Sequence, residues 1–108
     1  MENDLIMRRK SSYIYDRLKE IGVENVYIDP PENIVMKYPC CRVRVQGGRA
    51  RYSDNSTHIF TPSWELIYIS YEPDDDFMMK IMMTFSRITF QRHYTVDGLH
   101  HYSYTLYY

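Results

Sequence analysis

Few side chains in this chain of 108 residues stand where they could do chemistry. His93 and His100 flank an Asp97-Gly98 pair, the strongest short-range hairpin signal. In such a hairpin they are diagonal neighbours on one face, ~7–8 Å apart at the backbone, close enough to share a metal ion. No third ligand at a metal spacing accompanies them. Cys40 and His93 supply the residue types of a nucleophile and its base, but no other part of a thiol hydrolase. Asp74-Asp75-Asp76 resembles a cation site only superficially; three carboxylates opening a helix read as caps that match its positive end. Asn55-Ser56-Thr57 fits a glycosylation acceptor, which means little without a secretion signal. Gly-rich phosphate loops and nucleophile elbows are absent. We read the chain as not an enzyme, with no metal and no cofactor.

The basic stretch Arg42, Arg44, Arg49, Arg51 with Tyr52 is the best case for nucleic acid, since arginine beside an aromatic ring can follow phosphates and stack on bases. Thirteen Lys+Arg stand against fourteen Asp+Glu, and this balance argues against a dedicated nucleic-acid binder. A solvated strand face or a protein partner fits better. Several copies arranged in a ring would still concentrate those arginines around a channel and could grip DNA there.

The elements that position these residues follow from periodicity. Residues 3–21 read as an amphipathic helix capped by Asn3 or Asp4, with Met7, Ile14, Leu18 and Ile21 on one face and Gly22 at its end. Arg8-Arg9-Lys10 lies on its solvated face. Val26-Tyr27-Ile28 is a short extended piece, Pro30-Pro31 a stiff connector, and Ile34–Lys37 another short extended piece. Residues 38–46 form a strand with Val43 and Val45 alternating against Arg42, Arg44 and Gln46. Residues 46–58 lack apolar periodicity and read as a long loop, a kind that is usually functional. Residues 60–72 form the best strand, apolar on both faces: Trp64, Leu66 and Tyr68 on one, Ile67, Ile69 and Tyr71 on the other. Residues 75–85 form a second helix, so apolar that more than one side of it must be covered. Residues 88–108 form a C-terminal hairpin in which Val96 opposes Leu99, Tyr94 opposes His101 and His93 opposes Tyr102. Phe90 shares a face with Tyr94 and Val96, and Tyr102, Tyr104, Leu106 and Tyr108 take the other.

Composition adds a bias toward surfaces that are half buried. Twelve Tyr stand against four Phe and one Trp, with seven Met. Tyrosine joins an apolar face to a polar tip, and methionine adapts to irregular contacts. Cys40 and Cys41 are adjacent, point to opposite sides of a strand and read as two reduced thiols. No apolar run is long enough to cross a bilayer, and no signal-peptide core opens the chain, which reads as a protein made in a reducing cytoplasm.

Two segments carry a likeness to a known group: Glu24-Asn-Val-Tyr-Ile-Asp-Pro-Pro-Glu-Asn-Ile-Val-Met-Lys-Tyr-Pro-Cys40, and Phe90-Gln-Arg-His-Tyr-Thr-Val-Asp-Gly-Leu-His-His-Tyr-Ser-Tyr-Thr-Leu-Tyr-Tyr108. Both resemble the small tail-completion, or tail-terminator, proteins of long-tailed bacteriophages. The order of elements is similar along nearly the whole chain; Cys41, where an aliphatic residue is expected, departs from it, as does a short loop-to-helix region. The resemblance implies a virion protein at the head–tail junction, assembled in the host cytoplasm. It implies a ring, usually a hexamer, that ends tail-tube polymerisation and docks the head-side connector. Its partners would be further copies of itself, the tail-tube protein, a connector or stopper protein and DNA in the lumen.

The expected fold is α+β, one domain with a mainly antiparallel sheet of four to five strands packed on two helices. Gln46, Arg49, Arg51, Tyr52, Asp54 and His58 are expected to face the tube or lumen. Met78, Met79, Met82, Met83, Tyr102, Tyr104, Tyr107 and Tyr108 are expected at subunit interfaces. The alternatives are another connector component, such as a stopper or head-completion protein, and a small nucleic-acid-binding module.

Overall fold

The computed structural model describes residues 2–53 and 56–108, and the side chains of residues 5–50 and 60–108. Two helices, α1 (Glu2–Glu20) and α2 (Asp75–Thr84), pack on one face of a five-stranded sheet. Its strands are β1 (Asn25–Ile28), β2 (Cys40–Ser53), β3 (Ser56–Ser70), β4 (Ile88–Val96) and β5 (Leu99–Tyr107), in the order β1-β2-β3-β5-β4. Only β1 and β2 run parallel; every other pair is antiparallel. This is the α+β fold that the periodicity implies.

The helix ends are built by local chemistry. Gly22 adopts φ +107°, and the amides of Gly22 and Val23 donate to the carbonyls of Lys19 and Leu18 at 3.1 Å each. This doubly bonded glycine stop closes α1 where a residue with a Cβ would be strained. Asp74 caps α2, its Oδ1 accepting from the Phe77 amide at 3.0 Å. The main core lies between the helices and the sheet. Ile14 and Leu18 of α1 and Ile81 of α2 meet Cys41, Val43, Trp64, Leu66, Tyr68, Tyr102, Tyr104 and Leu106. On the opposite face a smaller cluster of Cys40, Ile67 and Ile69 is covered by Tyr27, Met36, Tyr38 and Leu99. Both cysteines are therefore free and buried, on opposite sides of the sheet. Residues 34–37 join no ladder; they belong to the segment that lies across this second cluster.

The largest difference from the sequence pattern lies at 46–58. Instead of a long loop, the two strands continue to Ser53 and from Ser56, still paired. β5 leaves β3 at Ser63 with one last bond, from the Tyr108 amide to the Pro62 carbonyl at 3.1 Å, so the ladder beyond the Gly48–Pro62 pair stands alone. Six residues at ~3.3 Å each make an arm of ~20 Å, consistent with principal extents of 50 × 25 × 25 Å. Gly48 sustains the base of this arm: the Phe60 ring lies over it, and a Cβ there would meet Phe60 Cζ at 2.4 Å and the Thr61 carbonyl at 2.7 Å. Around Gly47 nothing lies within 4 Å. A second difference is in the C-terminal hairpin. Its register near the turn is the expected one, but an irregularity between Phe90 and Arg92 turns Phe90 onto the helix side, edge-on to Tyr104 at 5.6 Å.

The glycine pair yields a paired test. Gly48→Ala forces the Thr61 backbone to move and is expected to cost about 1–3 kcal/mol, whereas Gly47→Ala leaves the unfolding midpoint in urea nearly unchanged.

Candidate functional site

Irregular pairing decides which side chains share a surface. In an uninterrupted β2, Arg42 and Arg44 would face one way and Arg49 the other, because side chains alternate. The register shifts between Val45 and Gly47, where one extra residue enters β2. Such a bulge flips the parity beyond it. Arg49, opposite Thr61, thus joins Arg42 (opposite Ile67) and Arg44 (opposite Glu65) on the helix-free face. The shift between Phe90 and Arg92 does the same in β4 and sets Arg92 opposite Ser103, on the rung that crosses Ile67 to Arg42. Three strand spacings, ~14 Å, separate those two arginines.

Aromatic rings hold two of these cations in place. Arg49 lies over Tyr107 and Arg92 over Tyr94, at 4.6 and 4.5 Å from the ring centroids. Arg49 and Arg87, with Thr61, Thr89, Ile88 and Tyr107, line a cleft of about 650 Å³ between the arm and the outer hairpin. Among the described residues no carboxylate lines it. At the other end of the face the Pro30–Met36 segment covers Arg42 and Arg44, with Glu32 in the same groove. Arg44 donates to the Pro30 carbonyl at 3.2 Å, while the Nε of both arginines is buried without a partner. Among the described residues the one ion pair is Arg17–Glu20 on α1.

The residues expected at the tube or lumen divide accordingly. Gln46 and Arg49 sit at the base of the arm, Gln46 bonded to Ser63 Oγ at 3.2 Å. Arg51, Tyr52 and His58 lie on the arm's strands with side chains outside the described set, and Asp54 lies outside the described residues. The residues expected at subunit interfaces also divide. Tyr102 and Tyr104 are fully buried within the chain, where no neighbour can reach them. Their face of β5 lies beneath the helices, and their hydroxyls are used internally. Tyr102 accepts from the Asp74 amide at 2.8 Å, and Tyr104 donates to the Met78 carbonyl at 3.2 Å. Met78 and Met82 pack half-buried against the core. Met79 and Met83 face outward, 51% and 83% exposed. Tyr107 is half-buried beneath Arg49, and Tyr108 stacks on Tyr13 at 4.8 Å.

The histidine pair is real geometry: His93 Nε2 and His100 Nδ1 are 2.9 Å apart, and His93 stacks on Tyr102 at 4.4 Å. One ring must donate to the other. No group of three metal-ligating side chains occurs among the described residues. Cys40 and His93 lie on opposite faces of the sheet with two strands between them, so they cannot act as nucleophile and base. Among the described residues no helix is long and apolar enough to cross a membrane.

Sequence reasoning missed Arg87 and Arg92. Arg87 reads as part of a polar stripe with Lys80 and Thr84, but α2 stops at Thr84 and Arg87 turns into the cleft. Glycine in mid-strand was the available signal for the first bulge; nothing comparable marks the second. Compared with models of known protein families and with curated protein sequences, the chain matches none.

Burial pushes the Cys40 thiol up to about 11, the Arg42 charge only partly opposing it, and pushes Cys41, Tyr68 and Tyr104 up as well. A two-unit rise from 9.0 leaves about a hundredfold less thiolate at neutral pH. Native protein at pH 8 is expected to react with iodoacetamide at least that much more slowly than protein in urea, as read by mass spectrometry. Raised values favour the protonated form in the folded state. The stability they carry is present below pH 9 and is lost as pH climbs toward 11, which a urea midpoint series across that range measures.

Proposed function

We propose that this chain is a structural virion protein that forms a ring at the end of a phage tail tube, stops the tube's growth and docks the tail to the head-side connector. The reading starts from the resemblance in the Glu24–Cys40 and Phe90–Tyr108 segments. The observation that carries it furthest is the arm. A two-stranded ribbon with bare edges is marginal alone in water, and one of ~20 Å held out from the body suits contact with something beyond the subunit. Further support comes from α2, whose Met79 and Met83 present apolar surface away from the core. The chemistry is also that of assembly. The nucleophile and base of the hydrolase alternative lie on opposite sheet faces, and both thiols are buried. In a ring, six or so copies of the arm would converge on the tube or the lumen.

An Asn-Gly turn that joins Ala50 directly to Phe60 removes the distal arm and keeps its base. The shortened chain is expected to melt within a few degrees of the parent and still to oligomerise. Added to growing tubes of the cognate tail-tube protein, it is expected not to cap them, so that electron microscopy shows overlong tubes. Tubes capped at normal length would refute the role of the arm.

A further inference from the structure

We propose that the cleft bearing Arg49 and Arg87 is the socket for the exposed, acid-tipped methionine stripe of α2 from a second copy of this chain. The inference rests on the ring reading above and names the contact that would build the ring. In the socket Arg49 and Arg87 line one cleft together with Thr61, Thr89, Ile88 and Tyr107. Stacking on Tyr107 holds Arg49 in position. Neither arginine has a carboxylate partner among the described residues. Both are exposed, so a carboxylate brought by a partner could pair with them without a prior rearrangement.

The complement exists on the same chain. Asp75, Met79 and Met83 recur at four-residue spacing and form one stripe of ~12 Å along the outer side of α2. Asp75 and Asp76 are exposed and, unlike Asp74, are not occupied by capping. Met79 and Met83 are exposed although apolar, and an unbranched thioether moulds to an irregular cavity. The acid tip of the stripe cannot reach the socket within one chain. The aspartates open α2 and Arg87 follows its far end, a helix of ten residues and ~15 Å away. A contact between two different patches of identical chains is heterologous, and repetition of it gives a closed ring or a filament. The same arrangement accounts for a formal net charge of −1 beside an unpaired arginine cluster. The charges are separated in space, and their balance is struck between neighbours. A nucleic-acid strand is the less favoured occupant, because Glu32 and Glu65 share the helix-free face and a polyanion would leave the methionines uncovered.

Two charge-reversed chains test this: Arg49→Glu with Arg87→Glu, and Asp75→Lys with Asp76→Lys. Neither touches the core or the Asp74 cap, and circular dichroism confirms that each stays folded. Native mass spectrometry of the wild-type chain is expected to show a defined oligomer. Each variant alone is expected to lose it, since like charges then face each other at every contact. An equimolar mixture is expected to recover it as an alternating assembly, because each variant's stripe then complements the other's socket. Recovery in the mixture cannot arise from a folding defect. If the wild type assembles and both variants assemble equally well, the socket is refuted while the ring stands. A wild-type chain that stays monomeric at every concentration, with or without tube protein, overturns both readings. Salt-sensitive binding of a 30-nucleotide DNA by the wild type, lost in the glutamate variant without any change of oligomer, would assign the cleft to nucleic acid instead.

Discussion

The fold is organised by a strand that is wet on neither face through most of its paired length. Trp64, Leu66 and Tyr68 of β3 point under the two helices, while Ile67 and Ile69 point under the Tyr27, Met36 and Tyr38 side chains. A slip of one residue would exchange these two sets, sending the tryptophan into a shallow cluster and the isoleucines into a space shaped for aromatic rings. Register is therefore specified from both sides. The two covers differ in extent. Helices span their face from Ile14 to Phe85, whereas the connector shields only the Cys40 end of the other. The uncovered remainder is where Arg49, Arg92, Tyr94 and Tyr107 lie.

This asymmetry bears on what could be read from the residues. The helices, the glycine stop at Gly22, the cap at Asp74 and the pairing around Asp97-Gly98 all depend on interactions within a few positions, and each was legible. So was the two-sided character of β3. The bulges were not. Alternation carries parity forward by assumption, and one inserted residue between Val45 and Gly47 inverts every face beyond it. The arm was read as a loop because Gly47-Gly48 and the polar run after it lack the apolar face that strands normally show. Its pairing is held by the backbone ladder and by Phe60 over Gly48. Tyr102 and Tyr104 were rightly placed on one face of the hairpin and wrongly given to an interface. Which face lies beneath α2 is settled by chain segments some twenty to thirty residues earlier, through the bonds from Tyr102 to Asp74 and from Tyr104 to Met78.

Tyrosine does two distinct jobs here. In the core its ring supplies area and its hydroxyl bonds the backbone of α2: Tyr102 satisfies the amide of the cap residue Asp74, and Tyr104 adds a bond to the Met78 carbonyl, so the abundance of tyrosine partly reflects internal polar accounting. On the helix-free face, Tyr94 and Tyr107 instead serve as platforms that fix guanidiniums in one orientation. Composition alone cannot separate these uses. A core tyrosine needs a backbone partner within reach, and a platform tyrosine needs a cation two positions away, as Arg92 is from Tyr94, or one strand beyond its neighbour, as Arg49 of β2 is from Tyr107 of β5.

The bare edges of the sheet bear on the proposed assembly. β1 is four residues long and β4 exposes Arg92, His93 and Thr95, short and charged edges of the kind that discourage indiscriminate pairing. The arm lacks that protection. Both its edges are open through the ladder beyond Pro62, and glycine makes its base adaptable. A chain that guards its body edges and leaves a projecting ribbon unguarded concentrates its unsatisfied backbone groups in one place. In the proposed ring, heterologous contacts between bodies would fix the rotation from copy to copy, and that rotation would decide between a closed ring and an open filament. Arms that converge near one axis would favour closure, because their like charges and unpaired edges find a common partner only where the copies surround it.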